Sequence, residues 1–288
     1  RRQRRMCIRD SLEGGLRDRA ITRDIEWGVP VPLKGFEGKR IYVWFEAVQG
    51  YFTCARIWAE RYASNHPEAN SAWENWWIQK DGHSLKHLYF MGKDNIPFHT
   101  IIWPAILMGL NRSREQSKQL HLEDNVPANE FLMLQGGQFS KSRKHGVWLP
   151  AFLERYDPDS LRYYLTINMP EGHDTDFRWE DFVERVNNEL ISNYGNFIHR
   201  VLTLTHRLQS SGSNPLVDYD NQDDHLEFNK HIMECISEAI NSMEKQRFKE
   251  ALRHIMNISK AGNAYLQRAC LLYTSPSPRD GLLSRMPS

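Results

Sequence analysis

The sequence contains no two cysteines spaced as Cys-x-x-Cys. Its four cysteines, Cys7, Cys54, Cys235 and Cys270, stand singly and far apart. That spacing supplies neither a zinc knuckle nor a disulfide framework. Isolated thiols fit a reducing, cytoplasmic setting, which is the expected location. No apolar run approaches the roughly 20 residues of a membrane span, so no membrane partner is expected. The chain also lacks a charge excess. Its formal net charge is +1, so any contact with nucleic acid must come from local patches. Position 1 is not methionine, and no apolar signal core follows the basic stretch Arg1 to Arg5. The N-terminus is therefore expected to be a cut end and not a targeting signal.

What is present is globular. The chain has 288 residues, 40% hydrophobic and 25% charged, enough for one large or two medium domains. Nine tryptophans point to substantial cores and to a pocket with flat, rigid walls.

The first 27 residues show no clean period. Residues 40–45 (Arg-Ile-Tyr-Val-Trp-Phe) are β-branched and aromatic and predict a buried strand. Trp44, Val48, Tyr51, Ala55, Trp58 and Tyr62 then recur at three- and four-residue steps, one face of a helix. A second strand is predicted at Leu88 to Met91, followed by Gly92-Lys93-Asp94 and a helix. Asp94 is its expected N-cap, Pro97 lies in its first turn and Gly109 near its stop. Strand, tight turn and helix form the α/β unit in which ligands bind at strand ends. Phe131 to Leu134 reads as a strand ending at Gly136-Gly137, and Asp157-Pro158 opens a helix through Leu165. From Trp179 to about Arg207 the pattern is amphipathic, with Phe182, Val183, Val186, Leu190, Tyr194, Phe197, Val201 and Leu204 on the apolar face. A polar loop at 208–224 precedes helical stretches at 226–244 and 247–269. The tail from Leu271 to Ser288 has no period and holds adjacent Ser-Pro steps. It is expected to be disordered or non-native sequence.

One segment suggests chemistry directly: Gly136-Gly137-Gln138-Phe139-Ser140-Lys141-Ser142-Arg143-Lys144. Paired glycines allow a hinge, and two hydroxyl residues flank a lysine. Such a loop can close over a polyphosphate and bring an ammonium to oxygens that gain charge. A solvated basic loop is the competing reading of the same residues.

The surrounding segments give this loop a context. Ile21-Thr22-Arg23-Asp24-Ile25-Glu26-Trp27-Gly28-Val29-Pro30 comes first, then Tyr42-Val43-Trp44-Phe45-Glu46-Ala47 with Gly50-Tyr51. Phe90-Met91-Gly92-Lys93-Asp94 with Phe98-His99 follows. After the loop come Asp174-x-Asp176-Phe177 and Asp181-Phe182-x-x-Arg185-Val186-Asn187. In this order they resemble the methionyl-tRNA synthetases, class I aminoacyl-tRNA synthetases, over about residues 12–268. The glycine-led loop is similar to the family's second signature, Lys-Met-Ser-Lys-Ser. Gln138 stands in place of its first lysine and Phe139 in place of its methionine.

The resemblance implies a fold class of α/β plus all-α. The second half of a Rossmann-like catalytic domain would occupy 1–135, and the mobile loop with a stem-contact region 136–178. A helical anticodon-binding domain would cover 179–270, ahead of the tail at 271–288. It implies a ligase that activates methionine with ATP and Mg²⁺ and passes it to tRNA(Met). Lys141, with Ser140 and Ser142, would act on the leaving pyrophosphate. Gly92, Asp94 and Arg143 would join Lys141 in binding ATP. Trp44, Tyr51 and His99 would hold methionine, and Asn196 and Arg200 would read the anticodon. Arg23 and Asp24 match family positions near the active site without an assigned step.

Bland alternatives stand beside these roles. Trp44 and Tyr51 could be ordinary core, Asp94 a helix cap, and Asn196 and Arg200 a solvated face. The family's first signature, His-Ile-Gly-His, and its metal-binding insertion do not occur in these residues, so zinc is not supported. The 288 residues alone are accordingly expected not to adenylate methionine. Rival readings are a leucyl, isoleucyl, valyl or cysteinyl enzyme of the same class, or a non-catalytic RNA-binding remnant.

Overall fold

The computed structural model describes residues 9, 12–15, 18–62, 65–66, 72–80, 82, 84–210 and 222–271. The expected tail lies outside them from residue 272 onward. The chain divides into two compact units, Arg1–Glu130 and Phe131–Ser288.

In the first unit, β1 (Thr22–Arg23) pairs antiparallel with β2 (Arg40–Ile41). The strand predicted at 40–45 is thus only two residues long. Val43 already begins α1 (Val43–Ala47), and α2 (Gly50–Tyr62) follows after a break at Val48-Gln49. The expected face of this helical pair holds at Val48 and Ala55 but not at its aromatic members. Val48 and Ala59 are buried, with Phe52 and Ala55 packed against the core or half-buried beside it. Tyr51, Trp58 and Tyr62 face outward. Aromatic rings at three- and four-residue steps mimic a core face, but here small residues let the helix lie close to its neighbours.

Helix α3 (Ala72–Trp77) presses Trp77 into the same core. The strand expected at Leu88 to Met91 is present as an extended run. Leu88 bridges Asn125 in parallel, and β3 (Met91–Gly92) pairs in parallel with β4 (Ala128–Asn129). A tight 3-10 turn at Lys93–Asn95 follows, then a π-helical turn at Phe98–Ile102 and α4 (Trp103–Asn111). Asp94 does not cap this run. Gly92 holds the cap position, no side chain caps it, and Asp94 lies inside the 3-10 turn. The core gathers Val48, Trp77, Tyr89, Phe98, Trp103 and Leu107.

Beside that core Glu123 is half-buried, and its Oε2 meets no hydrogen-bond partner among the described residues. Burial pushes its carboxyl up from 4.5 to about 7, and neighbouring Asp124 adds to the rise. A carboxyl whose folded pKa exceeds its unfolded one stabilises most below the unfolded value. That stability is lost as pH rises toward 7. Glu123→Gln should therefore gain melting temperature over the parent chain at pH 8 and gain less at pH 5. Equal shifts at both pH values in a thermal melt would count against this account.

The second unit opens with β5 (Leu132–Leu134), which turns into β6 (Gly137–Gln138) and pairs in parallel with β7 (Thr175–Phe177) on its other edge. Between β6 and β7 run α5 (Leu149–Leu153) and α6 (Pro158–Ile167). Asp157 caps α6 as expected, its carboxylate accepting from the Asp159 N–H at 3.0 Å. Leu134, Phe152, Leu161, Tyr164, Phe177 and Phe182 form the core.

The long amphipathic stretch is helical from Trp179 to Ser210, but in three registers. These are α7 (Trp179–Arg185), a π-helical segment (Val186–Gly195) and α8 (Asn196–Ser210). The wider π turn rotates the face, and Tyr194 of the expected apolar stripe is exposed within it; Val183, ahead of it in α7, is also exposed. Helices α9 (Gln222–Glu244) and α10 (Phe248–Leu271) complete the bundle. The polar loop is narrower than 208–224, because α8 reaches Ser210 and α9 begins at Gln222. Residues 211–221 lie outside the described ones.

Candidate active site

Each unit carries its own share of the expected site. In the first, the 3-10 and π turns after β3 bring His99 inward until it is 4% exposed. Its Nδ1 lies 2.9 Å from the Asn95 carbonyl oxygen and its Nε2 lies 2.9 Å from the Tyr51 hydroxyl. A carbonyl can only accept, so Nδ1 carries the proton. In the neutral ring Nε2 is then the acceptor, and Tyr51 donates to it. Burial raises the Tyr51 hydroxyl above its ordinary value, which keeps it a donor.

The rings near this pair fall into two clusters. Tyr51 meets Tyr89 edge-on at 5.0 Å and His99 at 5.6 Å between centroids. Trp44 leans on Phe98 at 5.5 Å. Tyr89 accepts from the Trp103 Nε1 at 3.1 Å, and burial pushes its own hydroxyl up to about 12. Tyr51 and His99 thus share one ring cluster with Tyr89, while Trp44 belongs to a second with Phe98, Tyr42 and Phe45; Tyr89 and Phe98 both sit in the buried core. The bland reading does not fit Trp44 and Tyr51, because Trp44 is 37% and Tyr51 44% exposed.

Sequence reasoning gave no pocket role to Tyr89, Phe98 or Trp103, which hold these clusters in place. Trp103 follows His99 by one helical turn, and Tyr89 precedes Met91 by one strand period. Both spacings would have marked the same face.

Gly92 and Asp94 lie at the carboxyl end of β3, both exposed. The Asp94 carboxylate makes no hydrogen bond or ion pair among the described residues. Neighbouring Lys93 pairs with Glu130 at 2.6 Å. The backbone of Gly92 is ordinary extended chain (φ −79°), and a Cβ there would meet nothing within 4 Å. Neither conformation nor packing within the chain requires glycine at this position. Arg23 stacks its guanidinium 3.9 Å over the Tyr42 ring, and Asp24 pairs with Lys39 at 2.7 Å.

In the second unit the signature-like loop is a pair of nested turns. Gln135 (φ 50°) and Gly136 (φ 78°) both take positive φ, as a two-residue type I′ hairpin requires. Both oxygens of Asp176 accept from the Gly136 N–H at 3.0 Å, and Asp176 also pairs with Arg178 at 2.8 Å. A Cβ on Gly137 would come 3.0 Å from His145 Nε2, itself 2.8 Å from the Leu134 carbonyl oxygen. In this conformation both glycines are engaged. One is fixed in a turn and the other lies under a ring.

Beyond them Ser140 and His145 exchange backbone hydrogen bonds of 2.8 and 2.9 Å. The tip Lys141-Ser142-Arg143-Lys144 projects from that bridge, every residue exposed. Ser140 Oγ lies 3.3 Å from Ser142 Oγ and accepts from the Arg143 N–H at 3.3 Å. Lys141, Arg143 and Lys144 form no ion pair among the described residues. The tip is a preformed cationic finger.

Asn196 and Arg200 share a face of α8 as expected, and that face turns toward α10. Asn196 donates to Asn263 Oδ1 at 3.2 Å, and Arg200 donates to the Asn263 carbonyl at 3.1 Å. Their polar groups already serve the bundle, and both side chains remain half-exposed.

The model of the family described as "tRNA synthetases class I (M)" matches residues 1–202. The chain belongs to this family. Among relatives of this synthetase chain, a methionine–tRNA ligase of Roseiflexus sp. strain RS-1 is 45% identical over 261 residues, 88% of this chain and 41% of its own length. One from Dehalococcoides mccartyi strain CBDB1 is 44% identical over 255 residues, 88% of this chain and 43% of its own length. A crystal structure of Mycobacterium tuberculosis methionyl-tRNA synthetase bound by methionyl-adenylate superposes with a TM-score of 0.74 at 26% identity. It covers 97% of this chain and 50% of that one. The synthetase chain thus spans about two fifths of the length of the curated relatives it matches. No helix among the described residues is long and apolar enough to cross a membrane.

Proposed function

We propose that this chain carries the methionine pocket and the pyrophosphate-handling loop of a methionine–tRNA ligase. The observation that supports this most is the Tyr51–His99 hydrogen bond set among the rings of Tyr51, Tyr89 and His99, with Trp44 packed on Phe98, the residue before His99. A thioether is long and polarizable and gains from contact with aromatic rings. His99 engages the Tyr51 hydroxyl and fixes the ring beside which the methionine side chain lies. Selection rests on shape, since one methylene is worth about 1–3 kcal/mol.

The methionine carboxylate attacks the α-phosphorus of ATP, and the bond to the bridging oxygen breaks as pyrophosphate leaves. Mg²⁺ enters with ATP as part of that substrate. Lys141 neutralises charge on the departing oxygens, with Arg143 beside it and Ser140 and Ser142 shaping the tip. Asp94, unpaired among the described residues, accepts from the ribose hydroxyls, and Gly92 leaves room for the sugar to approach. The activated methionyl group then passes to the terminal adenosine of tRNA(Met). Asn196 and Arg200 offer their remaining donors to anticodon bases.

The test is a chimera in which residues 12–268 replace the matching stretch of the Roseiflexus ligase. It should exchange pyrophosphate into ATP with methionine and not with leucine, isoleucine, valine or cysteine. A chimera that folds and prefers another amino acid overturns the reading. Within it, Tyr51→Phe removes one hydrogen bond, worth about 0.5–1.5 kcal/mol net. KM for methionine should rise about threefold to tenfold with kcat within twofold. An unchanged KM would remove Tyr51 from the pocket.

A further inference from the structure

A cavity of mixed polarity lies wholly within the second unit, apart from the cationic finger. It has a volume of about 300 Å³, opens to solvent, and is lined by α6, Arg185 of α7, the π-helical segment and α10, with Arg253, Asn257 and Lys260 exposed at its mouth. Its charged lining is Arg185, Glu189, Arg253 and Lys260. Two of these cancel: Arg185 donates to Glu189 at 3.2 Å and to Asp181 at 2.9 Å. Tyr163 is also occupied, donating to Glu189, and Asn193 donates to the Met256 carbonyl at 3.1 Å. Arg253 and Lys260 form no ion pair among the described residues.

Arg253, Asn257 and Lys260 stand four and three apart on α10, so they share one face over about 10 Å of helix. The cavity therefore presents two uncompensated cations with an amide between them. An uncharged partner would leave both cations desolvated without return. A nucleic-acid backbone satisfies them by releasing its counterions. With only Asn257 left as an uncommitted amide, the site is equipped to bind phosphate and not to discriminate bases.

We propose that this cavity is a phosphodiester-binding site for the backbone of the bound RNA, held by Arg253 and Lys260. It rests on the RNA-substrate reading above and adds a contact that is independent of the anticodon residues.

The experiment measures fluorescence anisotropy of the 288-residue chain with two tRNA transcripts, one carrying a CAU anticodon and one an altered anticodon, over a salt series. The doubly substituted Arg253→Ala, Lys260→Ala chain should bind both transcripts more weakly by the same factor. Its slope of log affinity against log salt should be shallower by about 1.5, roughly 0.7–0.9 for each phosphate no longer neutralised. The charge-preserving pair Arg253→Lys, Lys260→Arg should restore both affinity and slope. An unchanged slope, a loss confined to the CAU transcript, or no restoration by the charge-preserving pair overturns the proposal while RNA binding stands. If the parent chain binds neither transcript, the RNA reading falls and the proposal with it.

Discussion

Lys141→Ala should lower adenylate formation by the chimeric ligase by about 10²–10³-fold in kcat, with KM for methionine changed little. Removing one preorganised donor to a developing charge costs about that much in well-studied active sites. The finger makes Lys141 the strongest choice. The Ser140–His145 backbone pair closes the base of the tip, and Asp176 fixes the hairpin beneath it through the Gly136 N–H. The ammonium is thus presented on a rigid mount, with no carboxylate among the described residues to neutralise it. The family's first signature lysine is absent, Gln138 standing there, so less charge remains to compensate. Arg143→Ala should cost less, because its backbone already serves the turn through Ser140 while Lys141 leads the tip. Pre-steady-state pyrophosphate exchange measures the step. A Lys141→Ala chimera within threefold of the parent would show that the finger does not touch the reacting phosphates.

The mount also shows what the sequence could and could not disclose. Gly136-Gly137 was legible as a turn, but the identity of its anchor was not. Asp176 lies forty residues away, and only the parallel pairing of β5 with β7 brings it back. Asp174 does the same at the start of β5, accepting from the Phe131 N–H at 2.8 Å. The Asp-x-Asp-Phe motif thus clamps both ends of one strand and fills the core with Phe177.

The helical bundle was legible because amphipathic periods are local. The two π-helical stretches were not, since a single extra residue per turn leaves no compositional trace. They matter, because one of them turns His99 inward. In the first unit, the expected face held at Val48, which is buried, and Ala55, which packs on the core, whereas Tyr51, Trp58 and Tyr62 are exposed and Ala59 is buried in their place. The roles of Trp44, Tyr51 and His99 rested on resemblance. The meeting of Tyr51 with His99 depends on a contact 48 residues apart in sequence.

Gly262→Val should destabilise the bundle by about 2–3 kcal/mol, and the cause lies in a single interhelical approach. A Cβ at Gly262 would sit 2.3 Å from Phe197 Cε2, 2.7 Å from Cζ and 2.9 Å from Cδ2. No unstrained carbon contact is that short, so α8 and α10 must part or the Phe197 ring must turn. Overpacking of this kind costs about 1–3 kcal/mol. A better helix former in place of glycine returns up to about 1 kcal/mol for alanine and less for β-branched valine. Gly262→Ala should accordingly lose only about 1 kcal/mol, and valine more. The adjacent Asn263 ties Asn193, Asn196 and Arg200 to α10, so parting the helices also loosens those three side chains. Phe197→Leu shortens the ring that collides and should rescue Gly262→Ala. A double-mutant cycle in urea should then return a coupling above about 1 kcal/mol. Additive effects within about 0.5 kcal/mol would mean that Phe197 yields freely, and that glycine at 262 is not what lets the two helices approach.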